Sequence, residues 1–308
     1  MVPITLEIAL AMGINPLSLI LPAVLASNIG GISTLIGTPT NILIGSYAGI
    51  GFTDFLINLT PGVLLALAAL TVYVLVVYRK EYRATTGALS PALLERLRED
   101  GRITRPKTLA RAGAIFILML LMLVVGEQIH LVPAVTAMLG AVFMLLVVEP
   151  DIDEMMEVVD WTTLMFFIAL FMVIGAIQEV GLISFVAVGI KSAVGENLNL
   201  ALLMIVWAGA ILSGLIDNIP FTAAMLPVVG FLTRTTPGAS NLVLFYGLSV
   251  GAAMGGNSSL IGASANMVTA GITERAGYSI SYMRFLKVGL PATIITVAMG
   301  TIWLLIRF

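Results

Sequence analysis

The sequence predicts an all-α polytopic membrane protein, and three observations support this fold class. The chain of 308 residues is 59% hydrophobic and 10% charged, whereas an ordinary globular protein carries about 25% charged residues. Several uncharged runs approach or reach the roughly 20 residues that a helix needs to cross a bilayer. Two similar glycine-rich stretches interrupt such runs at distant points of the chain. We therefore expect membrane-spanning helices, some of them broken.

The uncharged runs set the expected spans, taken in chain order. These runs are Phe55–Tyr78, Ala112–Gly126, Leu131–Val148, Trp161–Gln178, Asn197–Ile216 and Val288–Ile306. A shorter run, Ile219–Leu232, follows the fifth of them across the tetrapeptide "DNIP". Together the two pieces predict a re-entrant hairpin, which places Asp217 within the membrane. Two full spans would instead place Asp217 at a surface, and the charge pattern fits both arrangements.

The basic residues orient the chain. Nine of the fifteen lysines and arginines lie in segment 79–111. Because short basic loops stay in the cytoplasm, we expect a multi-pass plasma-membrane protein with this loop inside. The segments expected are a first repeat at 1–79, a basic linker at 80–111, scaffold helices at 112–178 and a second repeat at 197–308. Residues 179–196 between the last two predict an amphipathic helix lying along the outer interface.

The two glycine-rich stretches form a repeat. Gly30–Asn41, "GGISTLIGTPTN", and Gly255–Asn266, "GGNSSLIGASAN", are identical at seven of twelve aligned positions. A proline-containing apolar helix follows each copy, and in the expected topology these two helices end on opposite sides of the membrane. Such an inverted repeat is a frequent plan of secondary transporters.

The repeated stretches are the first candidate site. Irregular backbone survives at membrane depth only where it is buried in protein or lines a watery cavity. Freed carbonyl groups and hydroxyls would bind a small cation, and the resumed helix N-termini would attract an anion. The candidate residues are Gly30, Gly31, Ser33, Thr34, Gly37, Thr38 and Asn41, and Gly255, Gly256, Asn257, Ser258, Ser259, Gly262 and Asn266. We expect Asn41 and Asn266 to cap the resumed helices. The alternative is that the glycines only permit tight helix packing.

The stretch "DNIPFTAAMLP" is the second candidate site. Asp217 lies within about 36 otherwise uncharged residues, and an acid at membrane depth is costly and usually functional. Asp217 would carry a proton or hold a cation, with Asn218 and Thr222 beside it. The alternative is an ordinary helix cap before a proline.

Composition excludes several other functions. The chain has no cysteine, so disulfides and thiolate metal sites are absent. The net charge of −2 gives no reason to expect a nucleic-acid partner. The single histidine, His130, cannot form a metal cluster alone and is expected at the interface. No span pairs a nucleophile with a base, so we expect a transporter that has no cofactor and binds no metal beyond a coupling sodium ion.

Four stretches resemble a known family: "ASNIGGISTLIGTPTNILIG", "DWTTLMFFIALFMVIGAIQEVG", "DNIPFTAAMLPVV" and "GGNSSLIGASANMV". They are similar to signature stretches of the ion transporter superfamily, in particular its ArsB/NhaD group of arsenite-efflux proteins, sodium/proton antiporters and the P protein. The resemblance implies a scaffold domain, a moving transport domain, a homodimer and elevator-type alternating access. It also implies that the chain lacks about the first quarter of a complete transporter, because family members carry a hairpin and scaffold helices before the position of Met1.

The resemblance implies arsenite or antimonite efflux, or sodium/proton antiport, with a proton or sodium as the coupling ion. One motif departs from the ArsB/NhaD group, because "GTPTN" stands where many members have an acidic "GDPPN". Thr38 makes this loop look more like the "GTPPN" of divalent-anion/sodium symporters. Transport of citrate or a related carboxylate is therefore the alternative, and an uncoupled anion channel is a further one.

Overall fold

The computed structural model describes residues 2–83, 95, 101–126 and 131–308, and within them every regular element is helical. The first helices are α1 (Val2–Ala11), α2 (Leu17–Gly30), α3 (Pro39–Ala48), α4 (Phe52–Val77), α5 (Arg79–Arg83), α6 (Pro106–Val125) and α7 (Pro133–Val148). The remaining ones are α8 (Ile152–Val158), α9 (Trp161–Glu179), α10 (Leu182–Val194), α11 (Leu198–Leu215), α12 (Asn218–Thr235), α13 (Val243–Gly255), α14 (Ser264–Arg275) and α15 (Tyr282–Arg307).

Five of these helices, α4, α6, α9, α11 and α15, are long and apolar enough to cross a membrane. The predicted all-helical membrane fold is therefore confirmed. The predicted span Leu131–Val148 forms the shorter helix α7, which has 16 residues. His130 and residues 84–94 and 96–100 of the basic linker lie outside the described residues, and the inverted orientation of the repeats stays a prediction.

The contacts divide the chain into two units. The first contains the described parts of Met1–Ile50, Asp54–Leu89 and Ile174–Phe308. At its centre lies α13, whose residues are all buried. Glycines spaced by four residues let α13 touch α11 closely, because a Cβ at Gly251 would lie 2.6 Å from the carbonyl oxygen of Val206. Small residues at this spacing allow close helix contacts within membranes.

Helices α4 and α15 also belong to this unit, and they cross at a tryptophan. The indole Nε1 of Trp303 donates a hydrogen bond to the carbonyl oxygen of Asn58 at 2.6 Å. The side chain of Asn58 in turn donates to the Tyr246 hydroxyl of α13 at 3.1 Å. Gly62 leaves room for the indole ring, since a Cβ there would lie 2.5 Å from Trp303 Cδ1. These contacts join α15 to α4 and α4 to the central helix α13.

Helix α10 corresponds to the amphipathic segment predicted at 179–196. Lys191 near its C-terminus donates to the carbonyl oxygen of Thr235 at 2.7 Å, where α12 ends. Phe185 and Val188 leave 78% and 56% of their surface exposed. The helix is confirmed, and its position at the membrane interface stays a prediction.

The second unit contains Gly51–Thr53 and the described parts of Ser90–Val173. Helices α6 and α7 pack together where Gly140 faces Met119, since a Cβ at Gly140 would lie 2.9 Å from Met119 Cγ. Asp151 caps α8 by accepting hydrogen bonds from two backbone amides. Most apolar side chains of this unit are exposed. The predicted domain limits, including scaffold helices at 112–178, stay predictions.

Candidate substrate and ion site

The two predicted breaks have matching backbone conformations. Each begins with one 3-10 turn, Gly31–Ser33 in the first break and Gly256–Ser258 in the second. The next residue is extended in both, with φ and ψ of −134° and 157° at Thr34 and of −137° and 164° at Ser259. The helices resume as α3 and α14 after residues whose φ is −150° and −149°. The sequence repeat is thus also a repeat of backbone structure.

Each break brings two glycines together. A Cβ at Gly31 would lie 2.6 Å from the carbonyl oxygen of Gly37, and a Cβ at Gly256 would lie 2.6 Å from that of Gly262. Only glycine permits such a backbone approach without movement of the chain. Close backbone approach within each break therefore explains these four glycines, while a direct role in binding stays a prediction.

The repeated asparagines do not cap the resumed helices, so that prediction was wrong. Asn41 donates its amide hydrogens to the carbonyl oxygens of Ile32 and Thr34, at 2.9 and 2.8 Å. Asn266 donates to those of Gly256 and Ser259, both at 2.9 Å. Each asparagine is the third residue of its helix and is fully buried. Its side chain turns back and satisfies carbonyl groups that the break has freed.

Side chains from one copy hold the asparagine of the other. The Ser249 hydroxyl of α13 donates to Asn41 Oδ1 at 2.5 Å. Asn28 of α2 donates to Asn266 Oδ1 at 2.9 Å and to Asn257 Oδ1 at 2.7 Å. These bonds tie α2 and α3 to α13 and α14 at the level of the breaks.

This network also fixes the orientation of Asn28. A side-chain amide has two hydrogens, and Asn266 uses both on backbone carbonyls, so its Oδ1 must accept. The Nδ2 atom of Asn28 donates one of its hydrogens to Asn266 and the other to Asn257. Asn28 therefore has its Oδ1 left, and this atom can only accept a hydrogen bond or bind a cation.

A cavity of about 170 Å³ lies between the two breaks and the hairpin tip. It is far larger than the ~10–15 Å³ that a single water needs. The helices α3, α12 and α14 begin at its wall. Its lining residues carry no charged side chain: Ser27, Asn28, Gly37, Thr38, Pro39, Asn218, Ile219, Ala253, Ala263, Ser264 and Ala265. Helix N-termini carry partial positive charge, so this cavity suits an anion although no lysine or arginine lines it.

Asn218 is the polar side chain best placed to bind a ligand. It is 6% exposed, it lines the cavity, and its amide group has no hydrogen-bond partner among the described residues. Its backbone amide donates to the carbonyl oxygen of Gly262 at 3.1 Å, which holds the hairpin tip against the second break. The amide is open to the cavity, where a bound ligand can hydrogen-bond to it.

Asp217 forms the helix cap that was the alternative interpretation. Its Oδ1 accepts from the backbone N–H of Ile219 at 2.9 Å, at the start of α12. The carboxylate also accepts from the backbone N–H of Ser264, the first residue of α14. Asp217 is half-buried and is not among the residues that line the cavity. A role in carrying a proton or cation stays a prediction.

The cavity brings together only part of the predicted set, namely Gly37, Thr38 and Asn218. Three predicted hydroxyls instead bond to backbone: Ser33 Oγ donates to the carbonyl oxygen of Gly30, Ser259 Oγ to that of Gly214 at 2.5 Å, and Thr222 Oγ1 to that of Asn218 at 2.7 Å. The other predicted residues do not line the cavity: Gly30, Gly31, Thr34, Asn41, Asp217, Gly255, Gly256, Asn257, Ser258, Gly262 and Asn266. Their part in binding stays a prediction.

Sequence reasoning missed three polar residues of the wall, Ser27, Asn28 and Ser264. Ser27 and Asn28 are a polar pair inside the apolar helix α2, and polar residues at membrane depth are a functional signal. The repeat comparison did not find Ser27 and Asn28 because the aligned stretch begins at Gly30. It did not single out Ser264 because this serine aligns with Pro39.

Comparisons with known proteins place the chain among transporters. Residues 1–242 match a protein-family model described as citrate transporter, CitMHS. An uncharacterized transporter of Mycobacterium tuberculosis is 36% identical over 307 residues, which cover 99% of this chain and 71% of the relative. An uncharacterized transporter of Synechocystis is 31% identical over 98% of this chain and 72% of its own length. The human P protein is 30% identical over 99% of this chain and 45% of its own length.

Proposed function

The chain belongs to the citrate transporter (CitMHS) family of the ion transporter superfamily, and we propose that it carries a small carboxylate anion of the citrate type. It is a transporter and not an enzyme. The observation that supports this substrate is the uncharged cavity at which three helices begin. From the sequence, a carboxylate is the alternative to arsenite and to sodium/proton exchange.

The cavity wall offers the groups that a hydroxylated carboxylate needs. The side chains of Asn218, Thr38 and Ser264 provide hydrogen-bond donors for carboxylate oxygens. The starts of α3 and α14 add first-turn amides without helical partners, and each helix N-terminus contributes roughly 0.3–1 kcal/mol to an anion. The free Oδ1 of Asn28 accepts a hydrogen bond from a substrate hydroxyl. Donors and one acceptor therefore face the same small space.

The coupling and assembly form part of the same proposal. A sodium ion or a proton at Asp217 couples transport, and the transport domain moves against the scaffold in a homodimer in the plasma membrane. Segment 79–111 faces the cytoplasm, and the two repeats have opposite orientations. The family match adds no specific support for arsenite or antimonite efflux or for sodium/proton antiport, so these are treated as outcomes of the test.

The test measures uptake of radiolabelled citrate into proteoliposomes that contain the purified chain. Sodium and proton gradients are imposed separately, and unlabelled carboxylates compete. Saturable citrate uptake that depends on one gradient is the expected result. Arsenite accumulation without citrate uptake, or sodium-driven proton movement without either substrate, would replace the proposal with one of the alternatives. Citrate flux that follows only the electrical potential would indicate a channel.

Asn218→Asp tests the cavity directly. The substitution conserves shape but puts a negative charge at the wall, so we expect the KM for citrate to rise about tenfold or more, since ~1.4 kcal/mol corresponds to tenfold. Thermal unfolding should change little, because the amide makes no hydrogen bond within the described residues. Asn241→Asp is the matched control, since it makes the same charge change at an exposed cap of α13. An unchanged KM in Asn218→Asp would remove Asn218 from the binding site.

A further inference from the structure

A second cavity of about 410 Å³ is an apolar groove along the surface of the first unit, away from the candidate site. Its walls include Leu19, Pro22 and Ala26 of α2 and Leu70 and Leu75 of α4. Tyr82 of α5 closes one end. The groove is lined almost entirely by aliphatic side chains, and since these helices lie in a membrane protein, it faces lipid.

The groove covers most of the depth of one leaflet. On its α2 side it runs from Leu19 to Ala26, which are seven positions apart. At 1.5 Å per residue this is about 10 Å. Half of a hydrocarbon core about 30 Å thick is roughly 15 Å. The groove therefore holds the larger part of one acyl chain, with its polar end at Tyr82.

A proline fixes the closed end of the groove. Pro22 has no N–H, so the carbonyl oxygen of Ser18, four residues earlier, lacks its helical donor. The Tyr82 hydroxyl donates to this oxygen at 2.7 Å. The bond holds the short helix α5 against α2. The basic residues of α5 are thereby positioned at the mouth of the groove.

The charges at this end are mainly positive. Only Tyr78 separates the end of the span α4 from the start of α5, so α5 lies at the level of the lipid head groups. It carries Arg79, Lys80 and Arg83, all exposed, and one acid, Glu81.

The start of α15 adds two more basic residues, Arg284 and Lys287. The Tyr73 hydroxyl donates to the carbonyl oxygen of Val288 at 2.9 Å, which fixes this part of α15 beside α4. Arg284 lies about one helical turn before Val288, and the Tyr78 and Tyr82 rings at the groove end are 6.0 Å apart.

We propose that this groove binds an anionic diacyl phospholipid, with one acyl chain between α2 and α4 and the phosphate among the basic residues of α5 and α15. Each lysine or arginine near an anionic head group strengthens its binding by roughly fivefold. A zwitterionic lipid gains the same acyl contacts without this net attraction. Aromatic residues such as Tyr78 and Tyr82 are typical of the head-group level.

The experiment uses tryptophan fluorescence and lipids with brominated acyl chains, which quench tryptophan on contact. Leu75→Trp places a reporter in the groove, and Val76→Trp, on the next and more exposed position of α4, is the matched control. Phosphatidylglycerol and phosphatidylcholine, each brominated, are titrated into the purified full chain in mixed micelles. The signal of the unsubstituted chain, which has three tryptophans, is subtracted.

We expect the Leu75→Trp reporter to be half-quenched at about a fivefold to tenfold lower fraction of phosphatidylglycerol than of phosphatidylcholine. Val76→Trp should respond equally to the two lipids. Replacing Arg79, Lys80 and Arg83 of α5 together with Arg284 and Lys287 of α15 by glutamine should remove the preference at Leu75→Trp while the quenching itself persists. Ala26→Phe, which fills the groove from the opposite wall, should reduce quenching at Leu75→Trp by both lipids, and it provides the test if the charge variant does not fold.

Equal quenching of the Leu75→Trp reporter by both lipids would overturn the proposal. A preference that survives the replacement of all five basic residues by glutamine would do the same, since the selectivity would then arise elsewhere. Quenching at Val76→Trp without quenching at Leu75→Trp would show that protein, for example a second copy of the chain, covers the groove.

Discussion

The two breaks have the same backbone, but their surroundings differ. In the second break, Gly255–Ser259 is entirely buried, and α11 and α12 hold it through two hydrogen bonds. These are Ser259 Oγ to the carbonyl oxygen of Gly214 at 2.5 Å and Asn218 N to that of Gly262 at 3.1 Å. In the first break, only Ile32 of the equivalent stretch Gly30–Thr34 is buried, and Gly37 is exposed where its equivalent Gly262 is buried.

The difference shows that a matching conformation does not imply a matching constraint. The backbone conformation follows from local chemistry, namely a glycine pair and an asparagine that satisfies the freed carbonyls. The constraint follows from what packs outside the break. We therefore expect substitutions at equivalent positions to cost more in the second break, and the pairs of equivalent residues supply their own controls.

The largest effect is expected for Asn266→Ala compared with Asn41→Ala. Each change frees two carbonyl groups, and an unsatisfied buried group costs about 1–3 kcal/mol. Each asparagine also accepts one bond, from Ser249 or from Asn28. Both bonds that Asn266 donates are buried, whereas the bond from Asn41 to Thr34 is only part-buried, so we expect Asn266→Ala to lower the unfolding free energy by about 1 kcal/mol more. Thermal unfolding of the purified variants measures this. A double-mutant cycle of Asn28→Ala with Asn266→Ala should be non-additive, whereas Asn28→Ala with Asn41→Ala should be additive; the reverse pattern would contradict the network.

The next effect is expected for Gly255→Ala compared with Gly30→Ala. A Cβ at Gly255 would lie 2.5 Å from Ala210 Cα, whereas nothing lies within 4 Å of a Cβ at Gly30. Overpacking typically costs about 1–3 kcal/mol, so Gly255→Ala should be destabilised. Gly30→Ala should be neutral or gain up to ~1 kcal/mol, because alanine suits a helix better than glycine. Equal shifts in melting temperature would mean that α13 and α11 do not pack this closely.

The smallest effect on stability is expected for Asp217→Asn. This substitution tests whether Asp217, beside the second break, has more than a structural role. Asparagine keeps an oxygen that accepts from Ile219 N, and asparagine and aspartate cap helices about equally well. The unfolding free energy should therefore change by less than ~1 kcal/mol. Gradient-driven transport should nevertheless be lost if Asp217 holds the coupling ion. Normal coupling in this variant would leave Asp217 as a cap only.

The spans and both breaks could be predicted from the sequence because their signals are local. Hydrophobic length defines α4 and α15, and a glycine pair marks each break. The cavity wall could not be predicted in this way, because Asn28 approaches Asn266 only through the crossing of helices that are 238 residues apart in sequence. Nor does the sequence show which way a hydroxyl turns. The Ser259 hydroxyl looked like an ion ligand, but it turns to the Gly214 carbonyl because burial requires a partner.

The hydrogen bonds between the two copies of the repeat are made by amides and hydroxyls, and this has a consequence for kinetic experiments. Asparagine, serine and threonine side chains do not ionise in the physiological pH range. The charge of the residues that connect the two copies, and of those in the cavity wall, therefore does not change as pH varies. Asp217 caps α12, one of the helices that begin at the cavity. A transport rate that varies with pH, after correction for the ionisation of the substrate, would therefore report a titrating group outside the cavity wall, with the Asp217 carboxyl group as the first candidate.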